Sequence, residues 1–204
     1  PRLLPNDFPR DSNRSYIHGI ANNPTDSQTT NFLSKLKSAF PLVDNHPDVA
    51  GVFRSAELLP LVAKALADPF RDANVTAVLA PEARGPILGA LVAVELGAGL
   101  VLARKSDRNH PGADIPVESA PTWRGTSEIF LGRSFDLTRS DRVVIVDDWI
   151  TTGSTMRAAC NILTILGATY VGAAALVNKA SPGTIEELRV HTLVDFDDLM
   201  TKSD

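Results

Sequence analysis

Apolar residues recur along this chain in two alternating rhythms, and the alternation predicts its architecture. Short continuous apolar runs at 75–80, 100–103, 142–146 and 170–177 read as strands buried on both faces. Between them, 86–96 and 154–166 carry apolar positions at helical spacing. Upstream, Leu33, Leu36 and Phe40 predict a helix over 30–40 that Pro41 stops. Leu58, Leu59, Val62 and Leu66 predict a second helix, which Ser55 can cap and Pro69 follows. Near the end, Thr184 and Glu187 are spaced as a capping box, so a short helix is expected from residue 185, then a strand over 191–196. Strands alternating with helices predict an α/β fold, a mostly parallel sheet with helices on both faces. Two segments lack a sustained period. Residues 1–30 read as an N-terminal arm or hood, and about 106–127 as a long loop of the kind that serves as a lid over such a sheet. The remainder, 31–204, is expected to be one domain.

Composition narrows the choice of partners. A 204-residue chain is long enough for one complete core and short for two. Net charge is −4 at pH 7, which speaks against sequence-independent nucleic-acid binding, since that requires clustered cations. The longest apolar stretch, 87–103, is broken by Glu95, Gly97 and Gly99, so no membrane span is expected. Cys160 is the sole cysteine and reads as a small buried side chain, and no secretory leader pattern opens the chain. A cytoplasmic protein is expected. The histidines, His18, His46, His110 and His191, show no metal-ligand spacing, and His110 alone lies in a segment able to approach a ligand.

The chemistry concentrates in 142–155, which reads RVVIVDDWITTGST. A buried strand ends in two adjacent acids, Asp147 and Asp148, and passes through a hydroxyl-rich turn into a helix. Ligands of open parallel sheets bind at the carboxyl ends of strands. Thr151, Thr152, Gly153, Ser154 and Thr155 supply backbone N–H groups, hydroxyl donors and a helix N-terminus, which together suit a phosphate monoester. Carboxylates beside such a cradle accept hydrogen bonds from sugar hydroxyls, so the run as a whole suits a sugar phosphate. Taken singly, the acids could merely end a strand and a threonine merely cap a helix. Here they occur together and in order.

VVIVDDWITTGST resembles the phosphoribosyl pyrophosphate (PRPP) signature of the type I phosphoribosyltransferases. PEARGPILGALVAVELGAGLVLARK, over 81–105, is similar to the pyrophosphate loop, helix and next strand of the adenine phosphoribosyltransferase-like branch, and VAGVFRSAELL is similar to that branch's base-binding segment. The resemblance implies a Rossmann-like type I phosphoribosyltransferase fold and a pentosyltransferase that moves ribose 5-phosphate from PRPP to a purine or purine-like base, releasing pyrophosphate. It further implies Mg2+ carried by PRPP with no direct protein ligand, a homodimer, and a role in purine salvage. Residue by residue, Asp147 and Asp148 would bind the ribose hydroxyls and Thr151 to Thr155 the 5-phosphate. Ala83, Arg84, Gly85, Arg104, Lys105 and Arg108 would bind pyrophosphate, and Val52, Phe53 and Arg54 the base. Arg84, Lys105, Asp147 and Asp148 would be the catalytic set, and the 82–85 turn could hold a strained or cis peptide as in relatives.

One departure stands out. Where the adenine-specific branch carries a glutamate in its lid, this chain reads Pro-Thr-Trp-Arg-Gly-Thr, with Trp123 or Arg124 in its place and Glu118 and Glu128 flanking the gap. Loss of that acid keeps open a second reading, a PRPP-sensing regulator of the same fold without catalysis. Against it, no basic face or helix-turn-helix extension for DNA is present, and the pyrophosphate-loop arginine is kept. A pyrimidine acceptor is a third reading, on the basic ARKSDR turn, while the PEARG loop points to the adenine-like branch.

Overall fold

The computed structural model describes residues 26–201. Of the expected arm, 1–25 lie outside the described residues, and 26–30 belong to helix α1 (Asp26–Ser38), which starts earlier than its apolar spacing implied. A small hairpin follows, β1 (Leu42–Val43) and β2 (His46–Pro47), turning at Asp44 and Asn45 with φ of 51° and 59°. Left-handed backbone at both corners matches the twist of the flanking strands, and Asp and Asn tolerate it better than other non-glycine residues. The run 49–53 is mostly helical, forming α2 (Ala50–Arg54), and α3 (Leu58–Ala67) begins where the Ser55 hydroxyl accepts the Leu58 N–H at 3.1 Å.

The main sheet then assembles by alternation: β3 (Ala77–Pro81), α4 (Gly85–Leu96), β4 (Gly99–Lys105), β5 (Ile115–Glu118), β6 (Ile129–Gly132), β7 (Arg142–Ile150), α5 (Ser154–Leu166), β8 (Thr169–Asn178), α6 (Pro182–Glu187), β9 (Val190–Asp195) and α7 (Phe196–Met200). Its strand order is β5-β6-β4-β3-β7-β8-β9. β4, β3, β7, β8 and β9 run parallel, and β6 and β5 add an antiparallel ribbon at the β4 edge.

Both faces of the parallel core are dry, as its continuous apolar strands require. Val78, Val144, Val146, Ala174 and Leu176 face one cluster with α1, α3 and α4. Their neighbours Ala77, Leu79, Val143, Ile145, Ala173 and Ala175 face the other, where Met156, Ile162 and Leu163 of α5 pack. The period-2 alternation fails at the two acids. Val146 and Trp149 lie against the same cluster although three residues apart, while the pairing with β8 keeps its register across the acids and shifts only between Val143 and Val144.

Three expectations are corrected. The segment 106–127 is not a plain loop, because Ile115 and Val117 alternate with polar neighbours and pair against Ile129–Gly132. α6 starts at Pro182, not 185: Ser181 accepts the Thr184 N–H and proline occupies the first turn, which outcompetes the Thr184–Glu187 box. The last strand ends at Asp195, and Phe196 opens α7.

Phe130 holds the antiparallel ribbon to the body, 1% exposed among Ile115, Val117 and Ile162. Phe130→Ala is expected to cost about 3–5 kcal/mol of unfolding free energy, a large-to-small cavity effect. Urea denaturation measures it, and a loss under 1 kcal/mol (roughly the limit for a surface change) would show the ribbon to be anchored elsewhere.

Candidate active site

β7 carries Asp147 and Asp148 in the sheet and not beyond it, since Trp149 still pairs with Val177 of β8. Both acids are nearly excluded from solvent, at 8% and 6% exposure. The Asp148 N–H donates to Asp147 Oδ1 at 2.8 Å. Burial, and then the neighbouring Asp148 charge, push the Asp147 carboxyl well above the ordinary value of 3.8, while the Arg84 guanidinium pulls it the other way. Arg84 Nε donates to Asp148 Oδ2 at 2.5 Å. Arg84 stands just before α4, after a cis Glu82–Ala83 peptide. The next residue, Gly85, lies so close to β7 that a Cβ there would stand 3.0 Å from Asp147 Oδ1 and from the Val146 carbonyl. The turn and the acids are thereby brought together.

Beyond the acids the chain turns through Thr151 and Thr152 into α5. Gly153 caps that helix at φ 76°, a conformation that disfavours other residues. The Thr152 hydroxyl donates to Ser154 Oγ at 3.0 Å and accepts the Ser154 N–H at 3.3 Å. Thr155 follows in the first helical turn. Phosphate-cradle candidates therefore form one continuous feature.

The other basic candidates are placed less directly. Arg104 and Lys105 lie at the end of β4, opposite Leu131 and Phe130 of β6. Arg104 Nε donates to Glu82 Oε1 at 2.8 Å, and the Lys105 N–H donates to Glu82 Oε2 at 3.0 Å, so Glu82 stitches the 82–85 turn to β4. Lys105 Nζ donates to Glu128 Oε1 at 2.6 Å. Arg108 is exposed beside Asp107 at 3.7 Å and joins none of these contacts. Val52 is buried, Phe53 is half-buried against the α3/α4 core, and Arg54 is exposed. Among the described residues no group of three or more His, Cys, Asp or Glu side chains could hold a metal ion.

At the ribbon tip Ser119 and Glu128 continue the ladder, and Gly125 at φ 74° closes a turn in which its N–H donates to the Thr122 carbonyl at 2.8 Å. That turn displays Trp123, 63% exposed, with Arg124 over its ring at 4.8 Å. His110 lies beside Arg133 and Arg104, and burial together with those charges lowers its pKa.

These elements coincide with a known domain. The model of the phosphoribosyl transferase domain matches residues 52–191, more than half of the chain. The adenine phosphoribosyltransferase of Methylobacterium sp. (strain 4-46) is 35% identical over 177 residues, 81% of this chain and 96% of that protein. The chain belongs to the phosphoribosyltransferase family. It is accordingly a pentosyltransferase, which moves a phosphoribosyl group from PRPP to a nitrogenous base. The crystal structure of the adenine phosphoribosyltransferase from Rhodothermus marinus DSM 4252 superposes with a TM-score of 0.71 at 29% identity, over 81% of this chain and 99% of that one. A Trypanosoma brucei adenine phosphoribosyltransferase, solved with AMP, pyrophosphate and ribose-5-phosphate, shares the fold at a TM-score of 0.68 and 23% identity.

Sequence reading of this phosphoribosyltransferase did not anticipate Glu82 as a brace, Glu128 as the Lys105 partner, or the aromatic group beside the acids. His46 of β2 lies 5.0 Å from Trp149 and 5.9 Å from Phe196, ring centre to ring centre, with Lys179 Nζ 3.7 Å over Phe196. Trp149 sits inside the signature run, so its part was open to notice. The others are separated by tens of residues from their partners and left no spacing signal.

The raised Asp147 pKa has a definite stability consequence. An unfolded chain loses this proton near 3.8, while the folded chain keeps it to higher pH, so rising pH across that interval costs stability at up to about 1.4 kcal/mol per unit. Asp147→Asn is expected to remove that decline and raise the melting temperature at neutral pH. Thermal melts of both proteins from acid to neutral pH test it. Parallel pH profiles would mean that Asp147 is not the strained group.

Proposed function

We propose that this phosphoribosyltransferase uses adenine, or a purine close to it, as acceptor, and that the residues at the carboxyl edge of β3, β4 and β7 form its PRPP site. The observation that carries the reading is the junction of Asp147 and Asp148 with the Arg84–Gly85 turn on one side and the Thr151–Thr155 turn on the other. Asp147 and Asp148 accept the ribose hydroxyls. Backbone and hydroxyl donors of Thr151, Thr152, Gly153, Ser154 and Thr155 hold the 5-phosphate, with the N-terminal end of α5 behind them. Ala83, Arg84 and Gly85 face pyrophosphate, joined by Arg104 and Lys105, with Arg108 nearest the loop. Val52, Phe53 and Arg54 receive the base.

Departure of pyrophosphate leaves positive charge on the sugar and gathers negative charge on the leaving group. Arg84 and Lys105 answer the second need, and for that each must exchange a carboxylate, Asp148 or Glu128, for a phosphate oxygen. Mg2+ fits this donor set as a guest of PRPP: two adjacent acids, one already paired with arginine, suit a cation held mainly by substrate and water oxygens. When bound it would neutralise further charge on pyrophosphate. The ribbon tip with Trp123 and Arg124 acts as the lid that keeps water from the reacting carbon.

A homodimer in the cytoplasm suits the family pattern and Cys160, which is half-buried and not fully buried as its apolar setting implied, its thiol pushed up to about 11 by that partial burial. Among the described residues no helix is long and apolar enough to cross a membrane. The regulatory alternative finds no support among the relatives described above, which are enzymes.

Release of pyrophosphate from PRPP and Mg2+ tests the reading across adenine, guanine, hypoxanthine, xanthine, orotate and uracil. Release is expected with adenine, and Asp147→Asn combined with Asp148→Asn is expected to lower it at least a hundredfold, about 3 kcal/mol of lost ribose contact. Release with another base alone moves the acceptor, and full activity of the double variant would remove the acids from the site. Arg84→Ala is expected to lower turnover more than it weakens nucleoside monophosphate binding. An equal loss of both would place Arg84 at the nucleotide end.

A further inference from the structure

Behind the phosphate turn lies a second layer that the sequence did not announce. Arg157, one turn into α5, sends Nη1 to the Thr152 carbonyl at 2.7 Å. The other side of its guanidinium is held by Glu187 at the end of α6, with Nε to Oε1 at 3.0 Å and Nη2 to Oε2 at 2.6 Å. All three nitrogens of the fork are thus engaged by protein oxygens, so Arg157 is arranged to act on the turn and not on a ligand. The pair lowers the Glu187 carboxyl below its ordinary value through that hydrogen-bonded contact.

A trans peptide is planar, with its carbonyl and its following N–H on opposite sides. Fixing the Thr152 carbonyl toward Arg157 therefore points the Gly153 N–H the other way, away from Arg157. The packing around Gly153 agrees. A Cβ there would meet Thr184 Cγ2 at 2.8 Å, Leu188 Cδ1 at 2.9 Å and Arg157 Nη1 at 3.0 Å, so that side of the turn is filled by α6, the residue that follows it and Arg157. Gly153 holds φ 76°, and nothing within the turn's own side chains fixes that peptide except the Thr152–Ser154 contacts.

We propose that Arg157 is a positioning residue for the phosphoryl-binding turn, aimed by Glu187, and that α6 serves as the buttress through which the distal part of the chain sets affinity for the 5-phosphate end of the substrate. This rests on the reading of 151–155 as the phosphate cradle. Arg157 adds no contact to substrate. It holds one peptide plane in the orientation that a phosphate oxygen requires, and its loss lets that plane turn without disturbing the acids or the pyrophosphate end.

Calorimetric titration of ribose 5-phosphate and, separately, pyrophosphate into wild-type, Arg157→Ala, Arg157→Lys and Glu187→Gln protein tests the proposal. Arg157→Ala is expected to weaken ribose 5-phosphate about tenfold, the scale of one charge-assisted hydrogen bond, with pyrophosphate unchanged. In turnover the same variant raises KM for PRPP while kcat and the KM for the base hold. Arg157→Lys keeps the charge but not the fork and is expected to recover less than half of the loss. Glu187→Gln, which leaves Arg157 in place but slackens it, is expected to show a smaller weakening confined to ribose 5-phosphate, and it decides the matter should Arg157→Ala fold poorly. Equal weakening of both ligands, or full recovery by Arg157→Lys, overturns the positioning role. Failure of the wild-type protein to bind ribose 5-phosphate would instead overturn the phosphate cradle itself, a result distinguishable from the first two.

Discussion

Two adjacent carboxylates kept out of water on the central strand are the constraint from which the rest of the site follows. Burying one acid is expensive and burying two side by side is more so, because each opposes the charge of the other. The fold meets this with a single cation, Arg84, which reaches Asp148 and leaves Asp147 to hold its proton more tightly. Such a centre survives because β7 is locked between β3 and β8 with apolar clusters on both faces. The sheet supplies the stability, and the acids spend some of it.

A similar logic governs the rim. Arg84, Arg104 and Lys105 each face a carboxylate of their own, Asp148, Glu82 and Glu128. On the reading proposed above, a polyanion entering this edge finds these three cations already paired, and binding becomes an exchange of partners rather than a capture by open charge. The exchange costs some affinity and returns selectivity, since an anion too small or too weakly charged to replace several carboxylates at once gains little. The chain's modest net charge of −4 agrees with a site whose attraction is local and short in range.

Much of this architecture was legible in the sequence, for physical reasons that differ by region. Central strands declare themselves because both faces are buried and their residues are uniformly apolar, and the signature run declares itself because acids, turn and helix start are contiguous. The ribbon was harder to read. Ile115, Val117 and Phe130 alternate over only a few residues and are interrupted by prolines and glycines, so their period was too short to separate from loop. The α6 start was mistaken because two capping patterns overlap within four residues, at Ser181 and Thr184, and the Ser181 cap with proline in the first turn prevails. Partners such as Glu128 for Lys105 or Glu187 for Arg157 are products of the fold. Their side chains meet across 23 and 30 residues, and no local rule connects them.

The two tryptophans divide the molecule in a useful way. Trp123 stands in water at the ribbon tip, and Trp149 is half-buried one residue after Asp148, in contact with His46. One indole therefore reports on the ribbon tip and the other on the ground beside the two acids, and their emission differs because their surroundings do. Ultraviolet fluorescence of the unlabelled protein thus contains two separate signals, a red-shifted one and a blue-shifted one. A change at the tip and a change beside the acids thereby become optically separable and can be timed against each other in a single mixing experiment.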